Sequence, residues 1–284
     1  MLLKKISRAS IVAAGVAGIS MVAATAARAE GPNLLDKGFY ADLGTFIVNT
    51  DTTMTLNGQT AGEVPGKPVN WEHDFGKGDV TRFRFDGEWR FADRHKIRAM
   101  IFDYSHSKST TINDEIDWDG TVYPINANVE GKMSFSVYEL AYEYAFMRRP
   151  DFEVTGSIGL HYTDFKAKLS GTWMTSGEGG GTVSASKEGS VGAPLPVIGV
   201  RGLWRIGGDF WLDAMAQYFA MNIDGYDGHL SDLKAVVMWQ PVSWGGVGIG
   251  YNRFGVDVTA HKDKFNGNLN WAYQGPQIFY SVKF

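Results

Sequence analysis

The chain has 284 residues, with 27 Lys and Arg against 31 Asp and Glu for a formal charge of −4, 13% aromatic residues, 35 glycines and no cysteine. The missing cysteine excludes disulfides and a lipid-anchored lipoprotein, and the acidic balance offers no footprint for nucleic acid. Abundant aromatics and glycines, without a helix-length apolar run beyond residue 29, favour an all-β chain that hides its hydrophobicity by alternation.

The first segment reads as an export signal. Lys4, Lys5 and Arg8 form a positive start, Ile11 to Ala26 is an uncharged apolar run, and Ala27-Arg28-Ala29 is a small-x-small cleavage site. The run is short and weakly hydrophobic for a membrane-anchoring helix. Cleavage after Ala29 makes Glu30 the mature start. It also removes Lys4, Lys5, Arg8 and Arg28, leaving 23 bases against 31 acids and a formal charge of −8.

Strands follow in order. An opening strand runs from about Gly38 to Val48. The cleanest is Thr81 to Phe91, where Phe83, Phe85, Trp89 and Phe91 alternate with Arg82, Arg84, Asp86, Glu88 and Arg90. A third spans His95 to about Ser105. Leu140, Tyr142, Tyr144 and Phe146 then oppose Glu139 and Glu143, and Phe152, Val154, Ile158, Leu160 and Tyr162 oppose Glu153 and His161. Ile198, Val200, Trp204 and Ile206 oppose Arg201 and Arg205; Leu212, Ala214, Ala216 and Tyr218 oppose Asp213. Leu233, Val237 and Trp239 oppose Asp232 and Lys234, and Val247, Ile249 and Tyr251 precede the closing strand. The count is about ten; eight or twelve stay open, since Thr110 to Val129 has room for an extra hairpin.

Connections alternate in length. Those at Ala92 to Arg94, Met147 to Asp151, Gly207 to Asp209 and Pro241 to Gly245 are short. Asn49 to Lys77, His106 to Lys132, Ser170 to Pro194, Asn222 to His229 and Thr259 to Asn266 are longer and polar. Short periplasmic turns, long outer loops and aromatic rings beside the turns are the signature of a transmembrane antiparallel up-and-down β-barrel, with both termini in the periplasm. A soluble periplasmic β-sandwich is the competing fold. Two places resist the alternation. Asp103 falls on the lipid side of the third strand. In the fifth, Asp164, Lys166 and Lys168 fall outward while Phe165, Ala167 and Leu169 turn inward. A bulge, or a strand already above the bilayer, explains either.

In the last strand Ile278, Tyr280, Val282 and Phe284 form one apolar face. This ending resembles the C-terminal insertion signal of Gram-negative outer-membrane proteins, which implies recognition by the barrel-assembly machinery. Gly159-Leu160-His161-Tyr162-Thr163-Asp164-Phe165 and Tyr273-Gln274-Gly275-Pro276 resemble stretches of uncharacterised Gram-negative outer-membrane β-barrel proteins. The resemblance implies an outer-membrane location among lipid and lipopolysaccharide, and no established activity.

Candidate sites are of two kinds. Arg82, Arg84, Asp86, Glu88, Arg90, Glu139, Glu143, Glu153, Arg201, Arg205 and Asp213 face inward, with Asp232 and Lys234, mixing both signs on adjacent strands. Such a lining in about ten strands is expected to plug the lumen with ion pairs. Asp117-Trp118-Asp119 and Asp227-Gly228-His229 fall in outer loops on opposite sides of the rim. Their placement is similar to that of omptin-family surface proteases, which activate water with an Asp pair and an Asp-x-His pair; here His229, held by Asp227, would be the base. No ordered metal-binding spacing is present, so neither metal nor cofactor is expected. The expectation is a monomeric outer-membrane barrel, structural or surface-interacting through its outer loops. Alternatives are a narrow channel for small solutes and a rim protease; catalysis is not the leading expectation.

Overall fold

The computed structural model describes residues 33–57, 66–76, 80–175, 180–223, 226–262 and 265–284. The expected signal peptide and its cleavage site lie outside these residues. The elements are β1 (Gly38–Leu56), β2 (Val69–Asn70), α1 (Trp71–Asp74), β3 (Val80–Ala92), β4 (His95–Thr111), β5 (Ile116–Trp118), β6 (Thr121–Tyr123), β7 (Asn128–Arg149), β8 (Phe152–Met174), β9 (Thr182–Gly207), β10 (Phe210–Ile223), β11 (Tyr226–Val242), β12 (Gly245–Lys262) and β13 (Phe265–Lys283). Each long strand pairs antiparallel with its sequence neighbours, the order runs β13-β12-β11-β10-β9-β8-β7-β4-β3-β1, and β13 closes onto β1. Ten strands therefore make the wall. The β5–β6 hairpin occupies the segment where an extra hairpin had room, but it forms a separate sheet outside the wall.

Large apolar side chains ring the outer surface, among them Phe83, Leu140, Ile158, Ile198, Leu233, Ile249 and Ile278. Water does not tolerate so continuous an exposed belt, whereas lipid requires it, so the fold is a transmembrane antiparallel up-and-down β-barrel. Aromatic pairs lie beside the short turns. Trp89 and Phe91 are 5.4 Å apart, Phe152 and Trp204 5.0 Å, and Phe210 and Trp239 6.3 Å between ring centres.

The two irregularities have one cause. The β4–β7 register is unbroken from His95 to Thr111, and the β7–β8 register is unbroken between Asn128 and Ala145, so no bulge resets the phase there. Instead the strands continue beyond the bilayer, where the solvent outside changes from lipid to water and the apolar side chains move to the inward parity. On β8 the outward Ile158, Leu160 and Tyr162 give way to inward Phe165, Ala167 and Leu169, while Lys166 points outward. On β4 outward Ile101 gives way to inward Phe102 and Tyr104. The same switch separates Ile278 from Tyr273 and Trp271 on β13, and Ile249 from Phe254 on β12.

This corrects the expected outer loops. Much of 49–77, 106–132, 170–194 and 222–229 is strand: β1 runs to Leu56, β7 starts at Asn128, β8 runs to Met174, β9 starts at Thr182 and β11 starts at Tyr226. Polar alternation outside a membrane looks like loop composition, yet it is what a wall wet on its outer face needs.

Candidate functional site

The inward charges occupy the membrane-level lumen and pair from wall to wall. Arg90 on β3 sends two guanidinium nitrogens to Glu153 on β8, at 2.7 and 2.8 Å, and Lys96 on β4 donates to the same carboxylate at 2.9 Å. Glu143 on β7 accepts from Arg98 at 2.9 Å and lies 3.1 Å from Lys96 and 3.3 Å from Arg201. Arg98 also holds Glu139 at 2.6 Å, and the Gln217 amide donates to Glu139 at 2.6 Å. Arg201 on β9 continues to Asp213 on β10 at 2.7 Å and crosses the lumen to Glu88 on β3. Arg84 holds Asp86 at 2.7 Å, and Lys234 reaches Asp86 at 3.2 Å. Asn252 accepts from Arg84 at 2.9 Å and donates to Asp232. Arg82 and Arg205 stand at the margin: Arg82 donates to the Ser105 carbonyl, and Arg205 lies 5.4 Å over the Trp211 ring.

Charges taken from water this far cost several kcal/mol each unless paired, and the wall-to-wall pairing supplies the partners. The network also includes Lys96, Arg98, Gln217 and Asn252. Alternation along their strands puts all four on the inward face.

Apolar clusters flank this network on both sides. At the short-turn end Leu34 and Leu35, ahead of β1, pack with Tyr40, Trp211, Met238 and Phe279. Arg148 fixes the turn by donating to the Leu35 carbonyl at 2.6 Å, and the Tyr40 hydroxyl donates to the Asp36 carbonyl at 2.9 Å. On the outer side stands an aromatic stack. Phe102 and Tyr273 are 5.0 Å apart, Phe254 and Tyr273 4.7 Å, and Phe135 and Trp271 4.3 Å. His161 stacks on Phe254 at 4.9 Å and has the Thr163 hydroxyl 3.4 Å from Nδ1.

Loop aromatics then cover the mouth. Trp71 and Phe75, on and after α1, are buried with Trp118 and Tyr123 of the β5–β6 hairpin; Trp71 and Trp118 are 5.7 Å apart. Burying each such ring contributes roughly 1.5–3 kcal/mol, enough in sum to hold two loops over the barrel. Gly131 on β7 makes room, because a Cβ there would meet the Phe75 ring at 2.5 Å. The Tyr123 hydroxyl donates to the Leu169 carbonyl at 3.1 Å, and burial pushes its pKa up to about 12.

The four rim residues are differently placed. Asp119 and Gly120, at φ 47° and 68°, are the two central residues of the tight β5–β6 turn. That is a geometry Asp-Gly adopts readily. Lys67 lies 3.3 Å from Asp117 and 2.9 Å from Glu115, and Lys187 lies 3.3 Å from Asp119. The acidic partners, Glu115 first, raise the Lys67 pKa. Asp227 and His229 are exposed on β11, where His229 stands opposite Ala220 and Asp257. Round the wall, β11 is four strands from β7 and five from β4, so the two pairs rise from opposite sides. Among the described residues no metal-binding cluster of His, Asp or Glu occurs.

No protein-family model matches this sequence. No curated protein matches it either. Solved structures do match in fold. The outer-membrane protease OmpT of Escherichia coli aligns with a TM-score of 0.55 and 12% identity, covering 87% of this chain and 97% of that one. The toluene transporter TodX of P. putida aligns at 0.34 and 10%, covering 91% and 94%. The attachment invasion locus protein Ail of Yersinia pestis aligns at 0.34 and 8%, covering 87% and 100%. At these identities the likeness to OmpT shows the barrel architecture and nothing of its chemistry.

Proposed function

We propose that this protein is a Gram-negative outer-membrane barrel that does not conduct, and that its role is structural or surface-interacting through the strand extension beyond the bilayer. The observation carrying this reading is the crowding of the lumen: an apolar cluster, a cross-wall ion-pair network and an aromatic stack follow one another along the axis. A selective pore needs a continuous wet path with one sign of charge dominating, and neither accompanies that filling. The rigid outer wall of β7, β8 and β9, with the Trp71 and Trp118 loops packed on it, provides a firm surface for contacts with lipopolysaccharide or external molecules. Just past the closing strand the Phe284 N–H donates to the Phe39 carbonyl at 2.8 Å across the seam, which supports closure of the barrel within one chain.

Planar-bilayer recording tests the reading. Purified protein is expected to give no steady unitary conductance. Regular openings that fall on Arg84→Glu would instead assign it to the narrow channels.

A further inference from the structure

The wall has a seam on its outer side. The β9–β10 ladder ends at the pair Ile198 and Tyr218, although β10 continues to Ile223 and β9 continues back to Thr182. The next rung would join Pro196 to Ala220 and the one after it Pro194 to Asn222.

The chemistry of β9 explains the stop. Arg205 donates its N–H to the Asp151 carbonyl on the β8 side, at 2.8 Å, and the β8–β9 register is unbroken from Thr182 to Trp204. Odd-numbered residues therefore aim their N–H groups at β8 and even-numbered ones at β10, because the direction alternates along a strand. Pro194 and Pro196 are even, and proline has no N–H to give. The donors toward β10 are missing where the ladder ends, while pairing with β8 is untouched. Residues Phe219 to Ile223, still paired with β11, thus have no rung to β9 over a stretch about 17 Å long.

Behind this seam lies an apolar cavity. Phe165, Leu195, Leu230, Val256 and Trp271 line it, and Thr163 brings a hydroxyl; among the described residues its lining holds no charged side chain. The lower lip carries Ile198 and Tyr218, 63% and 53% exposed toward lipid. The end of the ladder therefore stands at the outer edge of the lipid-facing belt, next to Phe219, which packs on the apolar cluster that lines the cavity. The aromatic stack and the charge network close the way further in, so this is a pocket and not a passage.

We propose that this pocket binds an unbranched alkyl chain, entering sideways between β9 and β10 at the outer membrane boundary. An apolar chain loses no hydrogen bonds on entering such a lining, whereas a polar ligand would leave its groups unpaired. The donorless edge formed by the two prolines keeps the entrance from zipping shut.

The test uses the full barrel in phosphatidylcholine vesicles. It is photolabelled with a diazirine-bearing alkane and, separately, with a phosphatidylcholine carrying the diazirine at the end of one acyl chain, and labels are mapped by mass spectrometry. Inward-facing Leu195, Leu230 and Val256 are expected to be labelled as well as lipid-facing Ile198 and Leu233. Inward labelling by the free alkane alone identifies a soluble apolar molecule as the source; labelling by the phospholipid too identifies a leaflet acyl chain. Val256→Trp fills the cavity and should lower inward labelling about tenfold, equivalent to ~1.4 kcal/mol, with lipid-facing labels unchanged. Pro194→Ala with Pro196→Ala restores the donors and should reduce inward labelling even if the first variant fails to fold. Labels confined to lipid-facing residues with both probes, or inward labelling indifferent to the proline replacements, would overturn the proposal.

Discussion

Replacing Glu153 by Leu removes the carboxylate that holds Arg90 at 2.7 and 2.8 Å and Lys96 at 2.9 Å. The two cations fare differently. Lys96 keeps Glu143 at 3.1 Å, whereas the other acid near Arg90 is Glu88, at 4.0 Å. Both Arg90 and Glu153 side chains are 0% exposed, so the variant strands one guanidinium away from water. Breaking a buried pair in this way costs about 3–5 kcal/mol. Changing Arg90 to Met as well removes the stranded charge, and an apolar pair of similar volume is expected to return to within ~1 kcal/mol of the parent. The assay is urea unfolding in lipid vesicles, followed by tryptophan fluorescence, for the parent, the two single variants and the double. A coupling energy of at least ~2 kcal/mol is expected between the two sites. If Glu153→Leu costs under ~1 kcal/mol, or the single losses add in the double, water reaches Arg90 and the lumen is not filled at that level.

The outer cap and the seam give further tests. Gly131→Val drives a side chain into the Phe75 ring, whose atoms would lie 2.5 Å from the new Cβ; overpacking of this kind costs about 1–3 kcal/mol. Protease cleavage between Gly66 and Gly76 should accelerate while the barrel stays folded by heat-modifiable gel migration. His73 is exposed and its pKa is raised above 6.5 by the hydrogen bond to Asp74, at 2.7 Å. The stabilisation from that pair is therefore complete below the free imidazole value and lost as pH rises through the higher folded value. An NMR titration should place the His73 midpoint above 6.5 and return it toward the free value in Asp74→Asn. Deleting Phe284 removes both its hydrogen bonds with Phe39 and a ring contact at 5.9 Å. Membrane levels of the deletion should fall, and normal levels would contradict a role for this residue in closing the barrel. Whole cells carrying the protein should leave basic peptides intact, since Lys67 and Lys187 occupy the carboxylates of Asp117 and Asp119; cleavage lost in His229→Ala would establish a rim enzyme.

How far the sequence speaks depends on which solvent each strand face meets. Within the bilayer the rule is simple: Phe83, Trp89, Leu140 and Ile158 face lipid, so Arg84, Glu88, Glu139 and the residues in phase with them face one another. The wall and its lining can be read from alternation alone. Above the bilayer the rule reverses. Phe165, Ala167 and Leu169 are no less alternating than Ile158, Leu160 and Tyr162, but they have changed parity, and in a single strand that change is indistinguishable from a bulge. Comparing strands separates the two, because Ile101 to Phe102, Ile249 to Phe254 and Ile278 to Tyr273 all switch near the outer boundary. A bulge belongs to one strand, whereas a change of solvent acts on every strand at one height.

The same logic marks what the sequence withholds. Trp71, Phe75, Trp118 and Tyr123 sit in polar stretches with no usable period, and their burial depends on the mouth being ringed by Phe135, Leu169 and Trp271, a fact of closure rather than of local pattern. Pro194 and Pro196 mark an edge in any sheet, but that the edge faces β10 follows only from the direction of the Arg205 N–H. Two prolines in β9 thus account for lost β9–β10 rungs once the alternation of donors is counted from a bond nine and eleven residues away.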